Sequence, residues 1–151
     1  MTRTLTSGSK RFVLPVRVYF QDTDAGGVVF HGTYLNFLER ARTEWLRGFG
    51  VELKAWTDEH KLLFIVRRLE VAYRMPARLD DLLDVSAELA ELGRVQFTLK
   101  QQVMRSDELL VDASVNLACV RSNDLRPAPM PQALRTRIAP LWSDPRIQES
   151  K

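Results

Sequence analysis

The chain has 151 residues, 45% hydrophobic and 27% charged, with 22 basic and 19 acidic residues and a net charge of +3, which suits one globular domain with its own core. The two signs are interspersed and the adjacent basic pairs are only Lys10–Arg11 and Arg67–Arg68, so the dense basic stripe of a nucleic-acid binder is missing. The single cysteine, Cys119, excludes a disulfide within the chain, no window approaches the ~20 apolar residues of a membrane span, and residues 1–10 lack the apolar stretch of a signal peptide; a cytoplasmic protein without an integral membrane segment is expected.

Residues 1–10 and 143–151 read as a flexible start and tail around a domain at 11–142. Residues 12–20 alternate, with Phe12, Leu14, Val16, Val18 and Phe20 on one face, the pattern of a half-buried strand. Pro15 lacks an N–H, so this strand belongs at a sheet edge or starts late. Residues 21–32 carry Gly26, Gly27 and Gly32 among Asp22, Asp24 and His31, a turn that lets a ligand approach the backbone.

From Thr33 the period changes. Tyr34, Phe37, Leu38, Ala41, Trp45, Leu46 and Phe49 recur at helical spacing, which predicts an amphipathic helix of about four turns. Thr33 is the expected N-cap, and Gly48 and Gly50 are stop signals. A shorter helix is expected at 51–60. Strands are expected at 62–73, 82–92, 94–105 and 109–120, with turns at Met75–Pro76, Gly93 and Ser106–Asp107; links this short favour antiparallel pairing. Cys119 falls in an apolar run and reads as a packing thiol. A proline-rich loop at 122–131 and a last helix at 131–141 complete an α+β fold, one helix against a curved sheet.

Asp22-Thr23-Asp24 before glycines is also how an Asx turn looks, so the residues alone leave turn chemistry and catalysis both open. The longer string decides more: Asp22-Thr23-Asp24, a glycine turn, Phe30-His31, Tyr34-Leu35, then Glu39-Arg40-Ala41-Arg42 on the helix. This resembles the signature of the hotdog thioesterases related to 4-hydroxybenzoyl-CoA thioesterase, and within them the YbgC branch, the Tol-Pal-associated acyl-CoA thioesterases. Tyr73-Arg74-Met75-Pro76-Ala77 and the final strands follow the same layout. The resemblance implies a single hotdog fold, an antiparallel sheet wrapped around one long central helix, and hydrolysis of an acyl-CoA to free acid and CoA. It assigns Asp24 as the catalytic carboxylate and His31 as the second polar catalytic residue, where the benzoyl-type enzymes carry tyrosine. It also implies a site between two subunits of a dimer or tetramer.

The chemistry agrees with those residue types. A thioester carbonyl is electrophilic and its thiol leaving group, of pKa about 8.5, needs little acid help. A base or nucleophile is needed, which Asp24 supplies, along with donors for the developing oxyanion. Backbone N–H groups where the loop enters the helix, near His31 to Thr33, fit that role. By position in the family, Arg94 and Arg126 are the candidates for the CoA phosphates; the acyl chain is expected in an apolar slot between the long helix and the sheet, with Val28, Val29 and Phe64 as its candidate lining. CoA is part of the substrate, so no cofactor is implied. No second histidine accompanies Asp22, Asp24 and His31, so no metal is expected either. A Gly-x-Ser-x-Gly elbow and a phosphate-binding Gly-Lys loop are both absent. Two other activities compete: a non-catalytic binding module for acyl-CoA or an acyl carrier protein in an envelope-associated complex, and a hotdog dehydratase. An acyl carrier protein is a further candidate partner.

Overall fold

The computed structural model describes residues 11–142; the flexible ends expected at 1–10 and 143–151 lie outside the described residues. In chain order the elements are β1 (Arg11–Arg17), α1 (Thr33–Arg47), α2 (Leu53–His60), β2 (Leu62–Tyr73), β3 (Leu82–Leu92), β4 (Gln96–Arg105), β5 (Glu108–Arg121) and α3 (Gln132–Ile138), with short 3-10 turns at Phe20–Asp22 and Ala139–Leu141. The strands form one sheet in the order β1-β3-β4-β5-β2, every pair antiparallel. Pro15 sits opposite Asp84 on the edge strand β1, where a missing donor is tolerated.

β1 is shorter than its alternation predicts. Val18 still pairs, its N–H donating to Asp81 and its C=O accepting from Asp80, but Phe20 has left the sheet and is 81% exposed. The buried Asp22 carboxylate takes the Tyr19 N–H at 2.8 Å. A local side-chain acceptor thus outcompetes the ladder and curls the chain into the 3-10 turn.

α1 lies over the inner faces of β3 and β1 and touches β4. Its stripe of Tyr34, Phe37, Leu38, Ala41, Trp45 and Leu46 is buried. The cap is Gly32 rather than Thr33, which is the first helical residue. The Thr33 N–H is already bonded to Phe30 O at 2.9 Å, and a Cβ at Gly32 would come within 2.8 Å of the Phe30 ring. The turn therefore closes one residue early, with the Phe30 ring lying in the space a Cβ would take.

The core divides along α1. One cluster gathers Trp45, Trp56, Phe97, Cys119 and Met130; the other gathers Val29, Tyr34, Phe37, Leu38, Ala77 and Val103 under the 22–32 loop. Between them Gln101 faces inward, fully buried. Its Nε2 donates to Leu38 O at 3.0 Å and Ser86 O at 3.1 Å, and its Oε1 accepts from Arg42 Nη1 at 3.1 Å. The Gln102 N–H turns to Ser86 Oγ at 3.0 Å. Side chains here complete the β3–β4 edge, and the buried amide is fully engaged.

α1 leaves β2 uncovered in the single chain. Val66 and Leu69 stand opposite Leu117 and Val115, so they share the inner face, yet Val66 is 46% and Leu69 38% exposed. Between them the β2–β5 register slips at Arg67. Such a bulge re-aims the side chains that follow it, and Arg67 bonds Gln96 Oε1 at 2.8 Å.

Candidate active site

The segment from Phe20 to Gly32 is a small hairpin. Thr23 bridges Val29, the Asp24 N–H donates to Val28 O at 2.9 Å, and the Gly27 N–H donates to Asp24 O at 3.0 Å. Gly27 has φ of +79°, a left-handed conformation that glycine adopts without strain. The hairpin is stitched to the turn after β2: Val29 N–H donates to Ala77 O at 2.9 Å, and Val28 bridges Arg78. Asp22 serves this scaffold, with its carboxylate on Tyr19 N–H and its C=O accepting from Phe30 N–H at 3.0 Å.

Asp24 sits at the hairpin tip, exposed in the single chain. Its Oδ1 accepts the Gly26 N–H at 2.9 Å, the Asx turn that its neighbours foretold, while Oδ2 has no partner among the described residues. His31 lies at the hairpin's other end, one residue before the Gly32 cap, with its ring against Phe30 at 4.3 Å between centroids. From the Asp24–Val28 pair to His31 is three residues, roughly 10 Å along an extended chain. One chain thus puts both residues on one ribbon without joining them by a hydrogen bond. Thr33 N–H is consumed by Phe30 O. His31 N–H and Gly32 N–H have no acceptor among the described residues, and they open where the positive end of α1 begins.

Beside His31 is a cleft of about 260 Å³ lined by Val29, Tyr34, Tyr73, Arg74, Met75 and Pro76. Tyr34 Oη accepts the buried Ala77 N–H at 2.9 Å, and burial pushes its pKa up. Tyr73 Oη donates to His31 O at 2.8 Å. The floor is braced by Asp81, which takes Arg78 N–H and Arg105 Nη1, each at 2.8 Å. Burial alone would raise the Asp81 carboxyl, but these bonds outweigh it and hold it below the usual range.

The cleft takes in Val29; Val28 is half-buried on the adjoining bridge. Phe64 lies elsewhere: it stacks on Trp56 at 5.1 Å and meets Phe97 edge-on, in the other core cluster. Its alternation put it on the inner face, and the twelve-residue length of β2 carried it to the far end of that face. Arg94 and Arg126 are exposed at that same end, Arg94 O accepting from Met130 N–H and Arg126 O from Arg121 N–H. The length of β4 separates them from the hairpin by roughly 30 Å. A single chain brings neither arginine to Asp24. Tyr34, Tyr73 and Met75 were not singled out as site residues from the sequence; the one available signal was a tyrosine ending a strand just before the Met75–Pro76 break.

A larger cleft of about 710 Å³ lies on the sheet's outer face, among Arg67, Arg68, Glu70 and Glu91. It is far from the hairpin and its charges balance. Cys119 is fully buried, which pushes its thiol up to about 11, as a packing residue requires. Among the described residues no group of His, Cys, Asp or Glu side chains is placed to hold a metal ion, and no helix is long and apolar enough to cross a membrane.

A helix laid on one face of a five-stranded antiparallel sheet, with an Asp-bearing hairpin at the helix start, is the hotdog arrangement, and the chain belongs to the Thioesterase superfamily, whose profile matches residues 26–111. The acyl-CoA thioesterase YbgC of Haemophilus influenzae is 42% identical over 124 residues, 82% of this chain and 91% of that protein. The acyl-CoA thioester hydrolase YbgC of Escherichia coli O157:H7 is 40% identical, over 82% of this chain and 92% of its own length. Among solved structures, a probable thioesterase from Bartonella henselae superposes with a TM-score of 0.72 at 34% identity, covering 82% of this chain and all of that one. A 1,4-dihydroxy-2-naphthoyl-CoA thioesterase from Synechocystis, 23% identical, shares the fold with a TM-score of 0.79, covering 87% of this chain and 97% of that one. The protein is an acyl-CoA thioesterase, a thioester hydrolase of the YbgC-like kind.

Proposed function

We propose that Asp24 drives hydrolysis of the acyl-CoA thioester, with His31 assisting and no metal or cofactor taking part. The observation that carries this is the hairpin itself: one Asp24 oxygen is pinned by Gly26 N–H while the other is unspent, on the same ribbon as two unpartnered N–H groups at the start of α1. Asp24 takes a proton from water, the hydroxide adds to the thioester carbon, and His31 N–H and Gly32 N–H hold the oxygen that becomes negative. Collapse breaks the C–S bond, and the proton that Asp24 took passes by way of His31 to the departing sulfur, leaving free acid, CoA and both side chains as they began. Direct attack by Asp24 would instead expel CoA and form a mixed anhydride, and where water opens it at the Asp24 carbon, solvent 18O enters the Asp24 carboxylate in a single turnover.

The working unit in this proposal is a homo-oligomer, a dimer or tetramer of hotdog subunits. Asp24 is exposed and does not reach His31 in one chain. The edge strand β2 leaves its backbone row unpaired beside exposed Val66 and Leu69. A second copy there supports both needs, and it gives Arg94 and Arg126 a route to the CoA phosphates from a neighbouring chain. Val28 and Val29 line the acyl end, and Phe64, at the same end as the two arginines, joins that lining from the neighbouring chain. A cytoplasmic setting and an acyl carrier protein as a second thioester donor complete the proposal.

The test is CoA release across a panel of acyl-CoA thioesters, trapped with a thiol reagent. Asp24→Asn keeps the Gly26 bond and removes the base, so kcat should fall by about 10²–10⁴ with melting temperature unchanged. Near-wild-type turnover in that variant would overturn the assignment.

A further inference from the structure

We propose that Tyr73 is a positioning residue for this hydrolysis, acting through the peptide bond between His31 and Gly32. The inference rests on the oxyanion site assigned above. The Tyr73 hydroxyl donates to His31 O at 2.8 Å across 42 residues of sequence. That carbonyl belongs to the same peptide unit as the Gly32 N–H. A peptide is planar and conjugated, so a donor on its oxygen fixes the plane in which the N–H points and draws electron density away from it. Gly32 N–H gains as a donor when Tyr73 is engaged.

The geometry around Tyr73 is built to hold that bond. Tyr73 is the last residue of β2, opposite Val111 in the ladder, and the next two N–H groups both donate to Leu110 O. Its ring meets the Tyr34 ring at 5.7 Å and the His31 ring edge-on at 6.4 Å, the arrangement that aromatic quadrupoles favour. Tyr34 is itself pinned by Ala77 N–H. The loop end of this chain of contacts is a short hairpin tied by the Asp22 carboxylate and by Ala77 O, and Tyr73 adds the end of a laddered strand, the kind of element a reactive peptide needs behind it. Gly32 contributes its missing Cβ: the Phe30 ring fills that space and closes the other side of the peptide.

Tyr73→Phe keeps both ring contacts and deletes only the donor. Expected is a fall in kcat of about tenfold, the worth of one neutral hydrogen bond, with KM within about twofold and the melting temperature unchanged. The Gly32 amide proton should shift upfield in 1H–15N spectra while amides of α2 and α3 stay in place. Replacing Tyr73 with p-aminophenylalanine, which restores an N–H at the ring's end, should recover most of the loss and move the Gly32 amide back. Wild-type kcat in Tyr73→Phe, or an unmoved Gly32 amide, would overturn the proposal. So would a lowered melting temperature or raised KM with kcat intact, since the hydroxyl would then be only a structural tie. Asp24→Asn measured alongside separates the two assignments: if it loses turnover while Tyr73→Phe does not, the inference on Tyr73 fails and the role of Asp24 stands. If Asp24→Asn itself turns over normally, the assignment of Asp24 as the base fails, whatever Tyr73→Phe does.

Discussion

The two ends of the sheet are held together by different physics. At the end remote from the hairpin, Trp45, Phe49, Trp56, Phe64 and Phe97 form a chain of ring contacts between 5.0 and 5.7 Å, closed over by Met130, Leu134 and Ile138. Cohesion there is burial, which is non-directional and grows with area. At the hairpin end Tyr19, Phe20 and Phe30 are exposed, and the chain is held by directed bonds: Tyr34 Oη to Ala77, Val29 to Ala77, Tyr73 Oη to His31, Asp81 to Arg78 and Arg105. A buried cluster of Val29, Tyr34, Phe37 and Leu38 underlies this end too, but a site that must admit a thioester stays open above it, and there the loop's position is specified by hydrogen bonds.

Substitutions should therefore divide by end, and the largest tests this most directly. Trp45→Ala removes a buried indole at the sealed end and should cost ~3–5 kcal/mol in urea unfolding, with kcat of the remaining folded enzyme close to normal. A loss of turnover at full stability would break the comparison. On the open end Tyr34→Phe strips the acceptor from Ala77 N–H, a fully buried donor, and should cost about 1–3 kcal/mol. Because the hairpin is tied through Ala77, KM should rise with it.

Smaller still is Asp81→Asn. The carboxyl sits below its unfolded value of about 3.9, so its contribution is present above that pH and is lost as pH falls through the lower, folded value. The variant should be ~1 kcal/mol less stable at pH 7, a figure kept low because the Asp81–Arg105 pair is about a quarter exposed. The gap to wild type should close as pH drops below about 4; a gap that persists in acid would show that the ion pair is not its source. The smallest effect is at Cys119, whose thiol at about 11 should stay unmodified by a thiol reagent at pH 8 until the protein unfolds, with activity untouched. Rapid labelling of the native enzyme would show that the sealed end opens.

Much of this was legible in the residues because the period is local. β2 and β3 run over the expected 62–73 and 82–92, and the buried stripe of α1 is the one its spacing predicts. The misses share one cause, a neighbour that changes a local rule. Phe20 matched a strand until Asp22 captured the Tyr19 N–H. Thr33 has the better capping side chain, yet Phe30 O took its N–H and moved the cap to Gly32. Phe64 lies on the expected face but far from its own chain's hairpin, since alternation reports side and says nothing of distance along a strand. At the site, Asp24, His31 and the glycine turn stand out because they are close in sequence. Tyr73, 42 residues from the carbonyl it meets, is marked locally only by ending a strand before the Met75–Pro76 break.

By itself the sequence determined the element types, the apolar faces, the hairpin with its Asx turn and the family. Those depend on periodicity and on bonds between near neighbours. Only the tertiary structure decided that α1 covers β1, β3 and β4 while leaving β2 open, that Gln101 finds partners on a helix and a strand, and that a tyrosine at the end of β2 holds the peptide before α1. Each of these is set by which distant surfaces pack together, and long-range packing is selected by total burial and hydrogen-bond satisfaction over the whole chain rather than by any one segment.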